Sequence, residues 1–355
     1  MTTYKSAGVN IGEADRAVEL FSKKVRATYE GAPGVTFRKS GQFAGLVHFD
    51  DVPEVDFGFS IDGIGTKLLI ALQLNRFDTV GECLVGHCIN DLLTAGIRAR
   101  VLLDYVATAG LKAETTAAIV NSIADACIRH GIVLVGGETA EMPQVYIEGA
   151  YDMVACVQGF IKPEHIIDGS AVKPGDSVWA LPSSGCGCNG FSLLRKVNPD
   201  FSEIFMATNR TIGDVLLTPT RSYEREIFAA IDAGCEIHGM ANITGGGIPG
   251  NLSRIIPDEC VAHLEQAAIE PHIPAIMTMT QERGDVPWDD MVNTFNLGVG
   301  FIVVLPEASS QKLMDASKEE AFKIGTIDAY SDPTIEDFRT GTYRAVQFDG
   351  SWGSF

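Results

Sequence analysis

The sequence predicts two domains, each mixing strands and helices. Three observations carry this. The chain has 355 residues, long enough for about two domains. Short apolar runs bounded by turn residues alternate with stretches whose apolar positions recur at helical spacing. A turn-rich stretch, residues 165–177 with Asp168-Gly169 and Lys173-Pro174-Gly175-Asp176, interrupts the alternation near the middle. The boundary placed there gives domains 1–168 and 169–332 and a polar tail 333–355.

The elements follow in order. Residues 1–12 are polar, with a Gly8-Val9-Asn10 turn. Residues 13–29 carry Ala14, Ala17, Val18, Leu20, Phe21 and Val25, an amphipathic helix. Arg38-Lys39-Ser40-Gly41-Gln42-Phe43-Ala44-Gly45 is basic and glycine-containing, a simple turn or a flap over a nucleotide. Val55 to Phe59 alternates as a strand, and the apolar run Leu68 to Leu74 starts the next element. Residues 79–95 read as a helix striped by Leu84, Cys88, Leu92 and Ala95. Residues 99–106 form a buried strand that contains Asp104. The helix at 115–130 is the clearest, with Ile119, Ile123 and Cys127 on its apolar face and Gly131 as its stop. Strands follow at Ile132 to Val135 and Met153 to Phe160. The second half alternates strands (178–181, 299–305, 324–327) with helices (about 190–196, 220–233, 273–282 and 308–319), which suggests an α/β layer. The tail after 331 is polar with isolated aromatics, an edge strand, a partner-binding arm or disordered.

Composition narrows the function. Hydrophobic content of 46% and charged content of 21% suit a globular protein with a sizeable core. A net charge of −19 argues against a nucleic-acid or anionic-membrane surface, while leaving room for one local phosphate site. The eight cysteines include no Cys-x-x-Cys pair, which argues against structural zinc. Free thiols without an apolar leader segment point to a reducing cytoplasm. No apolar run approaches the roughly 20 residues of a membrane span.

Chemistry concentrates in Phe59-Ser60-Ile61-Asp62-Gly63-Ile64-Gly65-Thr66-Lys67-Leu68. Gly63 and Gly65 let backbone N–H groups approach an anion. Thr66 and Lys67 add a donor and a positive charge, and Asp62 offers a hard oxygen to a divalent cation. The spacing is not that of a P-loop, and a tight loop with a surface ion pair is the plain alternative. Asp91 interrupts a mainly apolar helix, where a carboxylate is costly unless paired or metal-bound. Glu138 follows two glycines after a strand. The stretches Ser183 to Gly190 and Thr244 to Asn251 are glycine-rich helix entries able to face an anion.

The order of motifs says more than any one of them. Asp-Gly-Ile-Gly-Thr-Lys (62–67), Asn90-Asp91-Leu92, Leu-Asp-Tyr (103–105) and Val-Gly-Gly-Glu-Thr-Ala-Glu-Met-Pro (135–143) come first. Asn189-Gly190-Phe191-Ser192-Leu193, Leu217 to Arg221, Ile243 to Gly247 and Thr294 to Gly300 follow. Together they resemble the aminoimidazole ribonucleotide synthetase (phosphoribosylformylglycinamidine cyclo-ligase) family over roughly residues 4 to 328. The resemblance implies the α+β, two-domain PurM-like fold. Its N-terminal α+β domain would form a homodimer through its sheet, and its C-terminal domain would be α/β. It also implies an ATP- and Mg2+-dependent ring closure of formylglycinamidine ribonucleotide in purine biosynthesis. By the same likeness, Asp62, Asp91 and Glu138 would hold metal, with Lys67 and Asp91 catalytic. Gly63, Gly65, Thr66, Lys67, Asn189, Gly245, Gly246 and Gly247 would hold ATP, with Gly41 to Gly45 as the flap.

The chain departs from the family pattern in its C-terminal half. Gly187 and Asn242 stand where histidine is usual, Asn293 where arginine is usual and Gly250 where glutamate is usual. Arg221, Arg254 and the Arg38-Lys39 pair are candidate replacements for lost positive charge. A selenophosphate synthetase relative would need a reactive cysteine near the N-terminus, and the first here is Cys83. A thiamine-phosphate kinase relative fits the Thr294 to Gly300 block less well. A hydrogenase-maturation carrier would end in cysteine, whereas this sequence ends Trp352-Gly353-Ser354-Phe355. A pseudoenzyme would be expected to lose Asp62 or Lys67, and both remain.

Overall fold

The computed structural model describes residues 1–38, 43–330, 345–350 and 352. Helix α1 (Ile11–Arg26) starts at Asn10, whose side chain accepts from the Glu13 N–H, and closes on Lys23, Lys24 and Arg26, which suit the negative end of the helix dipole. Strands β1 (Val35–Arg38), β2 (Gly45–Phe49) and β3 (Asp56–Gly63) follow, then helices α2 (Leu68–Leu74) and α3 (Val80–Leu93). Strand β4 (Arg98–Thr108), helix α4 (Ala113–His130), β5 (Val133–Glu141) and β6 (Tyr151–Ile161) complete the first half. These strands form one sheet in the order β1-β2-β3-β6-β4-β5, antiparallel except where β4 runs parallel to β5.

The two faces of this sheet differ. Asp56, Gly58 and Ser60 of β3 face inward and are buried, so by strand alternation Asp62 starts from the same side. Helix α3 packs on that side and against α4. A Cβ at Gly81 would lie 2.1 Å from the Ser122 backbone, so only glycine lets the two helices approach this closely. Helix α3 is buried on nearly all sides because the second half covers its far face. The outward face stays open and apolar. Ile61 is 69% exposed, Leu103 48% and Val133 59%, with Phe59, Val135 and Phe160 also exposed.

The second half begins with β7 (Asp176–Pro182), α5 (Phe191–Val197), the short pair β8 (Ile204–Phe205) and β9 (Arg210–Thr211), α6 (Ile212–Leu216) and α7 (Glu224–Asp232). It continues with β10 (Gly239–Asn242), α8 (Gly247–Leu252), β11 (Cys260–Glu265), α9 (Gln266–Ile269), α10 (Ala275–Gly284) and α11 (Trp288–Thr294). Strand β12 (Val299–Pro306), α12 (Ser310–Ala316), β13 (Phe322–Ala329) and β14 (Val346–Asp349) end it. The sheet order is β10-β12-β7-β13-β11-β14. Strand β12 is buried from Val299 to Leu305 because both its faces are covered. Phe301, Val303 and Leu305 join one core with Tyr223 and Leu313, while Ile302 and Val304 join the other. Parallel pairing with β11 makes β14 the last strand of the sheet, and Trp352 just beyond it stacks on Trp288 at 6.0 Å.

The helix expected at 220–233 begins only at Glu224, because Thr218 to Tyr223 runs as an irregular segment that contacts α3 through Asn90. Among the described residues, no helix is long and apolar enough to cross a membrane. The tail beyond 331 lies largely outside the described residues.

Candidate active site

Strand β3 and helix α3 bring three groups together. His87 and Asp91 are four residues apart on α3, so both leave the helix on one face. That face meets the end of β3, where His87 Nε2 lies 2.6 Å from Asp62 Oδ2. One ligand atom from each of Asp62, His87 and Asp91 lies within 4.8 Å of the other two. Both carboxylates are oriented. The Gly63 N–H donates to Asp62 Oδ1 at 2.6 Å. Asp91 accepts from Ser60 Oγ at 3.0 Å and from Asn242 Nδ2 at 2.9 Å. The Asn242 bond comes from the second half, on β10.

The electrostatics follow the geometry. Burial would raise Asp62, but the His87 contact outweighs it and holds the carboxyl below the usual range. Burial would lower His87, and the two nearby carboxylates instead raise it. Asp91 moves up, because burial exceeds the help it receives from His87 and Asn242.

Lys67 occupies a different place from the one expected of a phosphate contact. It is 1% exposed, and its ammonium donates to Gly187 O at 2.9 Å and Thr218 O at 2.7 Å. A third contact is with the Cys83 thiol. With its N–H groups directed at these partners, Lys67 joins the two halves in this conformation rather than facing the cleft. Cys83 in turn donates to the Cys188 sulfur, which lowers the Cys188 thiol to about 7 despite its burial. Burial pushes Cys186 up to about 12.

The glycine loops converge on the same region. A Cβ at Gly65 would sit 4.0 Å from Cys188 O, and one at Gly245 would sit 3.2 Å from Asn189 Nδ2. Thr66 Oγ1 lies 3.2 Å from Ser192 Oγ across the junction. The Asn251 side chain braces the second glycine loop by donating to the carbonyls of Thr244, Gly245 and Gly247. Gly247 has φ +62°, and a Cβ there would meet Val292 O at 1.8 Å. Asn90 clamps the halves, donating to Arg221 O at 2.8 Å and accepting from the Tyr223 N–H at 3.1 Å. The small cleft between the halves is lined by His87, Gly187, Asn189, Asn242 and Thr244, among others.

Some expected residues lie elsewhere. Glu138 is exposed on the edge strand β5, opposite Tyr105, and stands outside the Asp62–His87–Asp91 cluster. Gly45 opens β2 and pairs with Phe59, so it belongs to the sheet rather than to a flap. Gly41 lies outside the described residues. Arg221 is engaged by Glu226 and Glu320, and Arg38 is paired with Asp56. Arg254 lies close enough to Asp62 to favour its charged form. Asn293 is half-buried and bonds its own helix at Asp289 O. His87 is the residue sequence reasoning missed. Its spacing of four from Asp91 on a predicted helix was the available signal.

Residues 42–161 match the family model for the N-terminal domain of AIR synthase related proteins, and residues 173–337 match the model for the C-terminal domain. The phosphoribosylformylglycinamidine cyclo-ligase of Clostridium novyi (strain NT) is 38% identical over 332 residues, covering 93% of this chain and 98% of that protein. This chain belongs to the phosphoribosylformylglycinamidine cyclo-ligase family. The cyclo-ligase of Picosynechococcus sp. (strain ATCC 27264 / PCC 7002 / PR-6) is 39% identical over 346 residues, 92% of this chain and 97% of that one. More distant solved structures share the cyclo-ligase fold. AaThiL complexed with AMPPCP and TMP aligns with a TM-score of 0.62 at 12% identity, covering 94% of this chain and 93% of its own. The hydrogenase maturation protein HypE in complex with ATP aligns at 0.58 and 18%, covering 77% of each chain. At such identities only the fold is shared. His87 on α3 lines the cleft between the halves together with Gly187 and Asn242.

Proposed function

We propose that this chain uses ATP to close the imidazole ring of formylglycinamidine ribonucleotide, giving aminoimidazole ribonucleotide, ADP and phosphate. The observation that carries the reading is the convergence of the Asp62–Thr66 loop, Asp91 and the two second-half glycine loops on one inter-sheet cleft. Two carboxylates and a glycine loop suit a metal-bound triphosphate. The donor set fits a divalent cation, because Asp62 and Asp91 present hard oxygens within reach of one another. Held there, Mg2+ would offset the charge of the transferred phosphoryl group.

The chain's own part is positioning. Backbone N–H groups around Gly65 and the Thr66 hydroxyl would orient the triphosphate from one wall. Asn189 and Gly245 to Gly247 would do so from the other. ATP would phosphorylate the amide oxygen of the substrate, an internal nitrogen would attack the activated carbon, and phosphate would leave. Asn242, at a position where histidine is usual, orients Asp91 here, which supports retention of the reaction without that imidazole. The enzyme would act as a homodimer joined through the exposed face of the first sheet.

The test is coupled ADP release with and without formylglycinamidine ribonucleotide. Release that depends on the substrate is expected. Asp62→Asn and Asp91→Asn should abolish it while circular dichroism shows an unchanged fold. Wild-type turnover in either folded variant would overturn the metal assignment, and no substrate-dependent release in the parent protein would overturn the reaction.

A further inference from the structure

We propose that His87 is a third metal ligand, and that the Asp62–His87–Asp91 site therefore prefers a first-row transition ion such as Mn2+, Co2+ or Zn2+ over Mg2+. The inference rests on the same carboxylates as the proposed reaction. Its test reads metal binding without nucleotide, so the two readings can fail separately.

Three features argue for a ligand rather than a simple buried ion pair. The first is spacing. His87 and Asp91 sit one turn apart on one helix, the arrangement by which a helix presents two ligands to one ion. Asp62 approaches from a strand, so the three donors come from two rigid elements.

The second is distance. Ligands about 2.1 Å from an ion lie about 3 Å apart at right angles and about 4.2 Å apart across it. His87 Nε2 and Asp62 Oδ2 are 2.6 Å apart, and all three donor atoms lie within 4.8 Å of one another, so the three donors surround the volume of one ion.

The third is the supporting shell. Ser60 and Asn242 hold Asp91, and the Gly63 N–H holds Asp62, the outer partners that orient metal ligands. His87 is itself 4% exposed, so its ring has little freedom to turn away.

Nitrogen is what changes the selectivity. Mg2+ takes oxygen ligands, keeps its waters and gains little from imidazole. Imidazole strengthens binding of the later first-row ions in the order of their intrinsic affinities. The ring ligates as the neutral form, with Nε2 toward the ion and its remaining proton on Nδ1.

The experiment uses the full-length protein stripped of metal and without nucleotide. Co2+ titration followed by its visible bands should give one ion per chain. At least a hundredfold excess of Mg2+ should be needed to displace it. Loss of an outer-shell partner alone costs 10–100-fold in metal affinity, so His87→Gln should weaken Co2+ binding by about 100-fold or more, and by clearly more than it weakens Mg2+ binding. Wild-type protein loaded with Mn2+ should show electron spin-echo modulation from a directly bound nitrogen, a readout that needs no variant. Absence of that modulation, equal Co2+ affinity in His87→Gln, or facile displacement by Mg2+ would each overturn the assignment. A strong thiolate-to-cobalt charge-transfer band would place the ion on Cys83 and Cys188 and overturn it as well.

Discussion

Lys67→Met keeps the length of the side chain and removes its charge. The carbonyls of Gly187 and Thr218, both from the second half, then lose their donor inside the protein. A buried acceptor left without a partner costs about 1–3 kcal/mol, or about 2–6 kcal/mol for the pair. Relief of the desolvated ammonium offsets part of this. The structure sets the sign of the balance. Burial would lower Lys67, yet its surroundings raise it above the ordinary lysine range, so they favour the charged form. The expected net loss is about 3 kcal/mol. At a slope near 3 kcal/mol per molar, that moves the urea midpoint down by about 1 M. Because the bonds link the two sheets, the loss should also separate their unfolding transitions. The Lys67 contribution is full below the ordinary lysine value and is lost as pH rises through the higher folded value. The assay is urea unfolding followed by tryptophan fluorescence and circular dichroism, with ATP binding measured by dialysis on folded protein. An unchanged midpoint together with lost ATP binding would refute the reasoning and return Lys67 to the phosphates.

Two further outcomes follow from other parts of the structure. Burial would raise Glu82, but hydrogen bonds from His130 and Arg129 outweigh it and hold Glu82 below the glutamate range. Its stabilisation is therefore present above the ordinary glutamate value and fades as pH falls through the folded value. Calorimetry should show Glu82→Gln less stable than the parent by about 1 kcal/mol near neutrality, with the gap closing in acid, and parallel melting curves at all pH values would count against this. Ile61→Lys and Leu103→Glu, on the open sheet face, should convert a dimer to folded monomers in sedimentation. A wild-type monomer at micromolar concentration, or dimeric variants, would remove the case for that interface.

Long periodic segments were legible from the sequence, and two of the shortest strands were not. Helix α4 announced itself by the spacing of Ile119, Ile123 and Cys127 and by Gly131, which caps it at φ +65°. Strands β10 and β14 have four residues each, too few for a period to show, and β10 exists because it pairs with β12. At the site, Asp62 and Asp91 stood out because carboxylates are conspicuous next to glycines and apolar runs. His87 did not, since a single imidazole in an apolar helix usually belongs to the core. The partners of Lys67 were not legible for a physical reason. The motif shows a cation beside glycines, but the carbonyls that absorb its charge come from residues 187 and 218, more than a hundred positions later.

Strand β14 bears on how the chain is made. Strand β11 has β13 on one side and β14 on the other, and β14 lies beyond residue 337, where the match to the family model ends. Among the described residues, four helices and two strands are synthesised between β11 and the strand that covers it. Throughout that interval one edge of β11 offers free N–H and C=O groups, a template on which another nascent chain can pair. Residues 346–349 thus seal an edge made much earlier in synthesis. Whatever delays the synthesis of β14 lengthens the time for which this sheet can recruit the wrong strand.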